Sequence, residues 1–363
     1  MKPFKTYDEQ IEILRKRHLL PPISNSTEKI SGPACFHCFV DPKLRLSPID
    51  PILLRENIFR MLNQEQYVKE LLQEYGYYNI INQYNKPFLQ SDETYQPHMD
   101  FFMLFSLQQI DAKMKNLIFY PILQIEQYLK TCISYEFAKS YGPFENTCMD
   151  GYVEPYFKID HYNHSLKDKS GVPKYKAVIK RLKCIYENTE YKPFVHYKSK
   201  HGHIPIWVFI NRLSYGELLH FYNVLKIQKN ISIVFHLSPS QLRTAMIFLN
   251  HVRNDCAHFS GFYNQTYPYL KNNIPLLSDF QDRFHFSSQR EIPNIFLLLI
   301  LFKYFMSQKN YENFLQAIRH DVFNLLTQQY IPIISDYMKN TLAIPTAEEC
   351  DKKCEFLKNY FIT

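Results

Sequence analysis

Apolar residues recur at three- and four-residue intervals along most of the chain, the spacing that places them on one face of a helix. Residues 6–20 show it first. Ile11, Leu14 and Leu19 form a stripe behind a cap at Thr6 or Asp8, and Pro21-Pro22 stops it. Residues 24–51 are rich in Ser, Pro and Gly, have no periodicity and read as a loop or irregular arm. The helical pattern returns from Leu53 to Tyr78, ending near Gly76. A long helix follows over about 101–139, with Ile118, Ile122, Ile125, Leu129 and Ile133 on one stripe and an interruption or kink at Pro121. Tyr141-Gly142-Pro143 ends it, with glycine at the C-cap and proline blocking continuation. Further helices are predicted at Lys174 to Tyr186 and at 206–226, 238–258, 291–306, 309–329 and 331–342. The fold class is all-α.

The 363 residues, 46% of them hydrophobic, are enough for one large domain or two ordinary ones. The pattern divides into an N-terminal helix and arm (1–50), a central helical domain (51–275) and a C-terminal helical subdomain (276–363), with no internal repeat. Residues 1–20 lack an apolar signal core, and the greasiest run, Ile295 to Phe302, is far short of a membrane span. Eight unevenly spaced cysteines then read as free thiols in a reducing cytoplasm. Cys35-Phe36-His37-Cys38 and Cys350 with Cys354 each offer half a zinc site, but joining them requires the two ends of the chain to meet. The expectation is a cytoplasmic protein with no membrane contact, no metal and no cofactor. A net charge of +7 suits a polyanion such as RNA without separating an RNA binder from any basic domain. Gly-rich phosphate loops, Gly-x-Ser-x-Gly turns and His-Glu-x-x-His motifs are absent from the sequence.

The candidate chemistry lies at Leu249-Asn250-His251-Val252-Arg253-Asn254-Asp255-Cys256-Ala257-His258, at the end of a predicted helix. Its apolar stripe runs Leu242, Ala245, Met246, Leu249, Val252, Cys256, and at about 100° per residue Arg253 falls within it. Asn254 and His258 share the opposite flank. An arginine among core positions is costly unless it is paired or the stripe borders a cleft or interface. RNA can be cut by its own 2′-hydroxyl attacking the adjacent phosphate. That reaction needs a group titrating near neutrality, such as histidine, and a permanent cation for the developing phosphate charge, such as arginine. The spacing alone is weak, because Arg and His five positions apart recur by chance in most proteins.

Around these residues the chain resembles the HEPN superfamily of helical RNA-cleaving proteins, whose ribonucleases carry Arg, commonly followed by Asn, then His after four to six residues. Arg253-Asn254-Asp255-Cys256-Ala257-His258 fits with four intervening residues. The chain is more specifically similar to the abortive-infection (Abi) D/F-type proteins of phage defence, through blocks spread over residues 6–264. These are Asp8-Glu9-Gln10-Ile11-Glu12-Ile13-Leu14; Gly76-Tyr77-Tyr78 to Pro87-Phe88; Ile125-Glu126 with Tyr141-Gly142-Pro143; Pro205-Ile206-Trp207 with Leu213-Ser214-Tyr215-Gly216-Glu217-Leu218; and Arg253-Asn254 to Ala257-His258 with Asn264. The likeness fades after about residue 270. Ser260-Gly261-Phe262 stands where the family often has a basic residue after the histidine.

The resemblance implies a HEPN-like helical bundle with additional N- and C-terminal helices. It implies a homodimer in which two Arg/His motifs share one cleft, and a metal-independent endoribonuclease acting in abortive infection. RNA would be the substrate, and a structured small non-coding RNA a restraining or guiding partner. His258 would transfer protons, Arg253 would stabilise the phosphate, and Asn254, a turn before His258, would orient it. Asn264 and Glu126 would support them, Glu126 by pairing with Arg253. By sequence alone Glu126 reads equally well as a partly exposed helix carboxylate. Lys192, His196, Lys198, Lys200, His201 and His203 form a basic, aromatic-flanked stretch that could touch RNA phosphate or simply be a solvated loop. Trp207 reads as core or interface. Two other readings stay open: a non-catalytic RNA-binding module, and a helical dimerisation scaffold.

Overall fold

A computed structural model describes residues 4–20, 64–97, 99–142, 153–187, 190–258, 261 and 294–318. The described residues are helical, apart from turns and three isolated antiparallel bridges. They divide into two compact units that do not follow chain order: residues 1–117, 255–265 and 313–363 form the first, and 118–254 and 266–312 the second.

In the first unit, α1 (Tyr7–Lys16) starts at a capping box. Thr6 Oγ1 accepts from Glu9 N, and the Glu9 carboxylate accepts from Thr6 N at 2.7 Å. Its buried Ile11 and Leu14 face α2 (Gln64–Tyr75), and the rim is tied by Arg15 to Glu12 and Glu65 and by Lys69 to Asp8. α2 ends at Gly76, whose φ of +81° is a backbone state that disfavours any side chain. The Gly-Tyr-Tyr to Pro-Phe block then folds as a π-helical turn (Tyr78–Asn82) and a 3-10 turn (Lys86–Phe88), burying Ile80, Ile81, Tyr84 and Phe88.

The long helix α3 (Phe101–Tyr141) supplies both units. The helix continues through Pro121 without the interruption that was one of the two expectations there. The pyrrolidine ring removes one hydrogen bond, but the isoleucine and leucine stripe from Ile118 to Ile133 is fully buried, and that packing outweighs the loss.

In the second unit, α4 (Lys174–Tyr186) and α5 (Lys192–His201) are followed by the short α6 (Ile206–Phe209), α7 (Tyr215–Val224), α8 (Gln228–Ile233), α9 (Pro239–Ala257) and α10 (Asn294–Phe305). α11 (Gln308–Ile318) follows α10 in the chain. Aromatic rings fill much of this core. Tyr156 stacks on Phe209 at 4.3 Å, Phe209 on Phe194 at 5.6 Å, and Phe137 meets Phe221 at 5.8 Å. The helix expected over 206–226 is broken at Leu213-Ser214, because Ser214 opens a second capping box with Glu217. Burial works against the Glu217 charge, but hydrogen bonds from Ser214 and from Arg181 outweigh it and hold the carboxyl below the ordinary glutamate range. Its contribution to stability is therefore complete above the ordinary pKa of about 4.5 and lost as pH falls through the lowered value. Ser214→Ala is expected to cost about 1 kcal/mol at neutral pH, read as a lower urea midpoint; an unchanged midpoint would show the cap to be idle.

The predicted C-terminal helix at 331–342, the arm at 24–51 and the two cysteine pairs lie outside the described residues. Cys132, Cys184 and Cys256 are free thiols. Among the described residues no helix is long and apolar enough to cross a membrane.

Candidate RNA-cleavage site

α9 begins at Ser238, which caps it reciprocally with Gln241: Ser238 N donates to Gln241 Oε1 at 2.9 Å, and Gln241 N donates to Ser238 Oγ at 3.3 Å. Leu242, Ala245, Met246, Leu249 and Val252 are fully buried, so the helix is held by its apolar stripe up to the candidate motif. Arg253 sits half-buried at the end of that stripe. Its Nε is buried with no hydrogen-bond partner, while Nη1 reaches Asn254 Oδ1 only at a long 3.4 Å. Among the described residues no carboxylate pairs with this guanidinium. α9 ends at Ala257, and His258 follows as an exposed turn residue. The division between the units falls between Asn254 and Asp255, so Arg253 and Asn254 belong to the second unit and His258 to the first.

Within the first unit, the chain on either side of His258 lies close to a buried polar cluster that has no local signature in the sequence. Asp111, 0% exposed, accepts from the Tyr84 hydroxyl at 2.8 Å and pairs with Lys115 at 3.1 Å, both through Oδ2. On one flank, Cys256 lies close enough to feel this pair. Burial pushes its thiol up to about 12, Asp111 and Asp255 add to the rise, and Lys115 opposes it. Cys256 therefore remains a protonated thiol at neutral pH and is no nucleophile. On the other flank, Gly261 is buried against Tyr84 and Gln83. A methyl added there would make ordinary contact with Gln83 Oε1 at 3.6 Å and Tyr84 Cε1 at 3.8 Å. The position where a basic residue was looked for is thus part of the packing.

Glu126 is paired with Lys130 at 2.8 Å, both side chains largely buried, rather than with Arg253. A glutamate four residues before a lysine on one helix is the favourable local order, and that partner is always in reach. Near Glu126, the fully buried Tyr215 hydroxyl has no hydrogen-bond partner, and burial raises its pKa well above the ordinary value.

The stretch from Lys192 to His203 is not a loop, since α5 covers it to His201 and Gly202 ends it in the left-handed conformation. Lys192, His196, Lys200 and His201 are exposed, and His203 is half-buried with Nδ1 at 3.2 Å from the His201 carbonyl. Lys198 turns inward. Its ammonium lies 3.9 Å from the Tyr186 ring centroid and donates to the Tyr186 carbonyl at 2.6 Å, and burial lowers its pKa. Its ammonium is thus engaged by the ring and carbonyl of Tyr186. Trp207 is 48% exposed, so it is no core residue; its carbonyl accepts from Asn211, which in turn accepts from Gln127. Asn264 lies outside the described residues.

Comparison with curated proteins and with solved structures yields no match. A family model described as Abi-like protein matches residues 70–264, more than half of the chain. That span runs from α2 through the π-helical turn, the long helix α3 and the motif at the end of α9, and so the chain belongs to the Abi-like protein family.

Proposed function

We propose that this chain is an abortive-infection protein of the HEPN superfamily that cuts RNA by attack of a 2′-hydroxyl on the adjacent phosphate. Membership of the Abi-like family supports the defence role at its coarse level. The observation that carries the chemistry is the Arg253 guanidinium, placed at the end of an apolar stripe with its Nε buried and unpartnered. Such a group is costly in isolation and well suited to a phosphate oxygen. His258, exposed just beyond the helix end, is the proton-transfer group, and Asn254, one turn before it, positions the pair.

RNA is the substrate, a structured small RNA is the restraining partner, and the working form is a cytoplasmic homodimer. Because side chains supply both acid–base and electrostatic catalysis, the reaction requires no metal. The purified protein should cleave single-stranded RNA in EDTA and leave 2′,3′-cyclic phosphate ends. Products with 3′-hydroxyl ends, or no cleavage across RNA substrates, would sink the reading. The second reading is a module that grips RNA without cutting it. It is favoured by one observation: among the described residues nothing hydrogen-bonds the His258 imidazole to orient it.

A further inference from the structure

The net positive charge of the chain is concentrated. Residues 151–230 hold fourteen Lys and Arg against six Asp and Glu, an excess greater than the +7 of the whole sequence. Helix α4 is its centre. Tyr175, Ile179, Leu182 and Ile185 form the inward face, packed on α7 and on the turn Pro155–Phe157. The outward face carries Lys176, Lys180 and Lys183, at i, i+4 and i+7, so three ammonium groups line one side over about 10 Å. Lys174 adds a fourth in the first turn, where the helix dipole disfavours a cation.

The loop before α4 extends the row. Lys174 N donates to the Leu166 carbonyl at 2.9 Å, and Lys167 bridges to Pro173, which brings exposed Lys167 and Lys169 beside the start of the helix. The carboxylate between them, Asp168, is exposed and accepts from Ser170 N at 2.8 Å and Val172 N at 2.9 Å.

Ordinary solvated helices interleave the signs of their charges, as the first unit does. There Lys5, Arg15, Arg17 and Lys69 each have a carboxylate partner. On α4 only Arg181 has one, Glu217; among the described residues none of Lys174, Lys176, Lys180 and Lys183 is in an ion pair. Lys183 leans over the Phe157 ring at 5.7 Å, which leaves its charge unneutralised. Between the lysines the exposed positions of the helix are Ala177, Arg181 and Cys184. This face lacks the buried aromatic anchor of a protein interface and the apolar wedge of a membrane-lying helix. A periodic row of unneutralised ammonium groups fits a polymer of evenly spaced phosphates.

We infer that the outer face of α4, with Lys167 and Lys169, is a backbone-reading surface for single-stranded RNA. This rests on the reading of the protein as one that engages RNA, but it is independent of whether the RNA is cut. The test measures binding of a short unstructured RNA by fluorescence anisotropy across a salt series, in a His258→Ala background. Lys176→Gln/Lys180→Gln/Lys183→Gln should bind more weakly and flatten the slope of log affinity against log salt by about 2. A fourfold rise in salt then costs this variant about fifteen-fold less affinity than it costs the parent. Replacing the same three lysines by arginine should restore the slope, which loss of a merely structural role would not predict. An unchanged slope in the glutamine variant, or no RNA binding by the parent, overturns the proposal. Cleavage with an unchanged slope removes this surface alone, whereas an α4-dependent slope without any cleavage by the wild type removes the nuclease reading and leaves the surface standing.

Discussion

His258→Ala is expected to slow RNA cleavage by about 10²–10⁴-fold, the usual worth of a positioned proton-transfer group. Single-turnover cleavage at saturating RNA is the measurement, because it separates the chemical step from binding. The neighbouring thiol cannot take over the role, since burial holds Cys256 up to about 12. Arg253→Lys is the companion variant. It keeps the positive charge but loses the planar fork that meets two phosphate oxygens at once, so it should lose about 10²-fold or more in the chemical step. Cleavage by His258→Ala at the wild-type rate would remove the assignment outright. Loss of binding in Arg253→Lys with an unchanged single-turnover rate would make Arg253 a gripping residue and not a catalytic one.

Asp111→Ala should cost about 3–5 kcal/mol of stability, the range for breaking a buried ion pair from one side. The substitution takes the carboxylate from Lys115, itself 4% exposed, and the acceptor from the Tyr84 hydroxyl. Thermal unfolding would show the loss as a transition lowered by many degrees. Asp111→Asn, which keeps a carbonyl oxygen for Tyr84, should fall between the two. A loss below about 1 kcal/mol for alanine would mean that the pair is screened, contrary to its burial. Because Cys256 and Gly261 lie close to this cluster on either side of His258, a variant that still folds should also cleave more slowly.

What could be read from the sequence followed the range of the interaction concerned. Helix α1 was legible because Thr6, Glu9, Ile11 and Leu14 lie within nine positions, and cap and stripe are both local. The stripes of α3 and α9 were legible for the same reason. The break before α7 was equally local, in Ser214-Tyr215-Gly216-Glu217, but the apolar run from Ile206 to Leu225 masked it. Glu126 was assigned a distant arginine although Lys130 stood one turn away, and nearness decided the outcome. Lys198 read as a surface cation because nothing local shows that Tyr186 and its carbonyl lie beneath it. Asp111 with Lys115 has the spacing of an ordinary surface pair, and only the tertiary contact of Tyr84 shows that it is a buried cluster.

The packing of Gly261 near Tyr84 has a consequence for the order of events during synthesis. Gly261 packs near Tyr84 across roughly half the length of the chain, so the loop between them must close before the turn after His258 is in place. Closing a loop of that size carries a conformational-entropy cost that local helices do not meet, and contacts of such separation form late in folding. A chain emerging from the ribosome therefore has α1 through α8 available well before Gly261 packs. Under the function proposed above, this delay would keep the nascent chain inactive until most of it has been made.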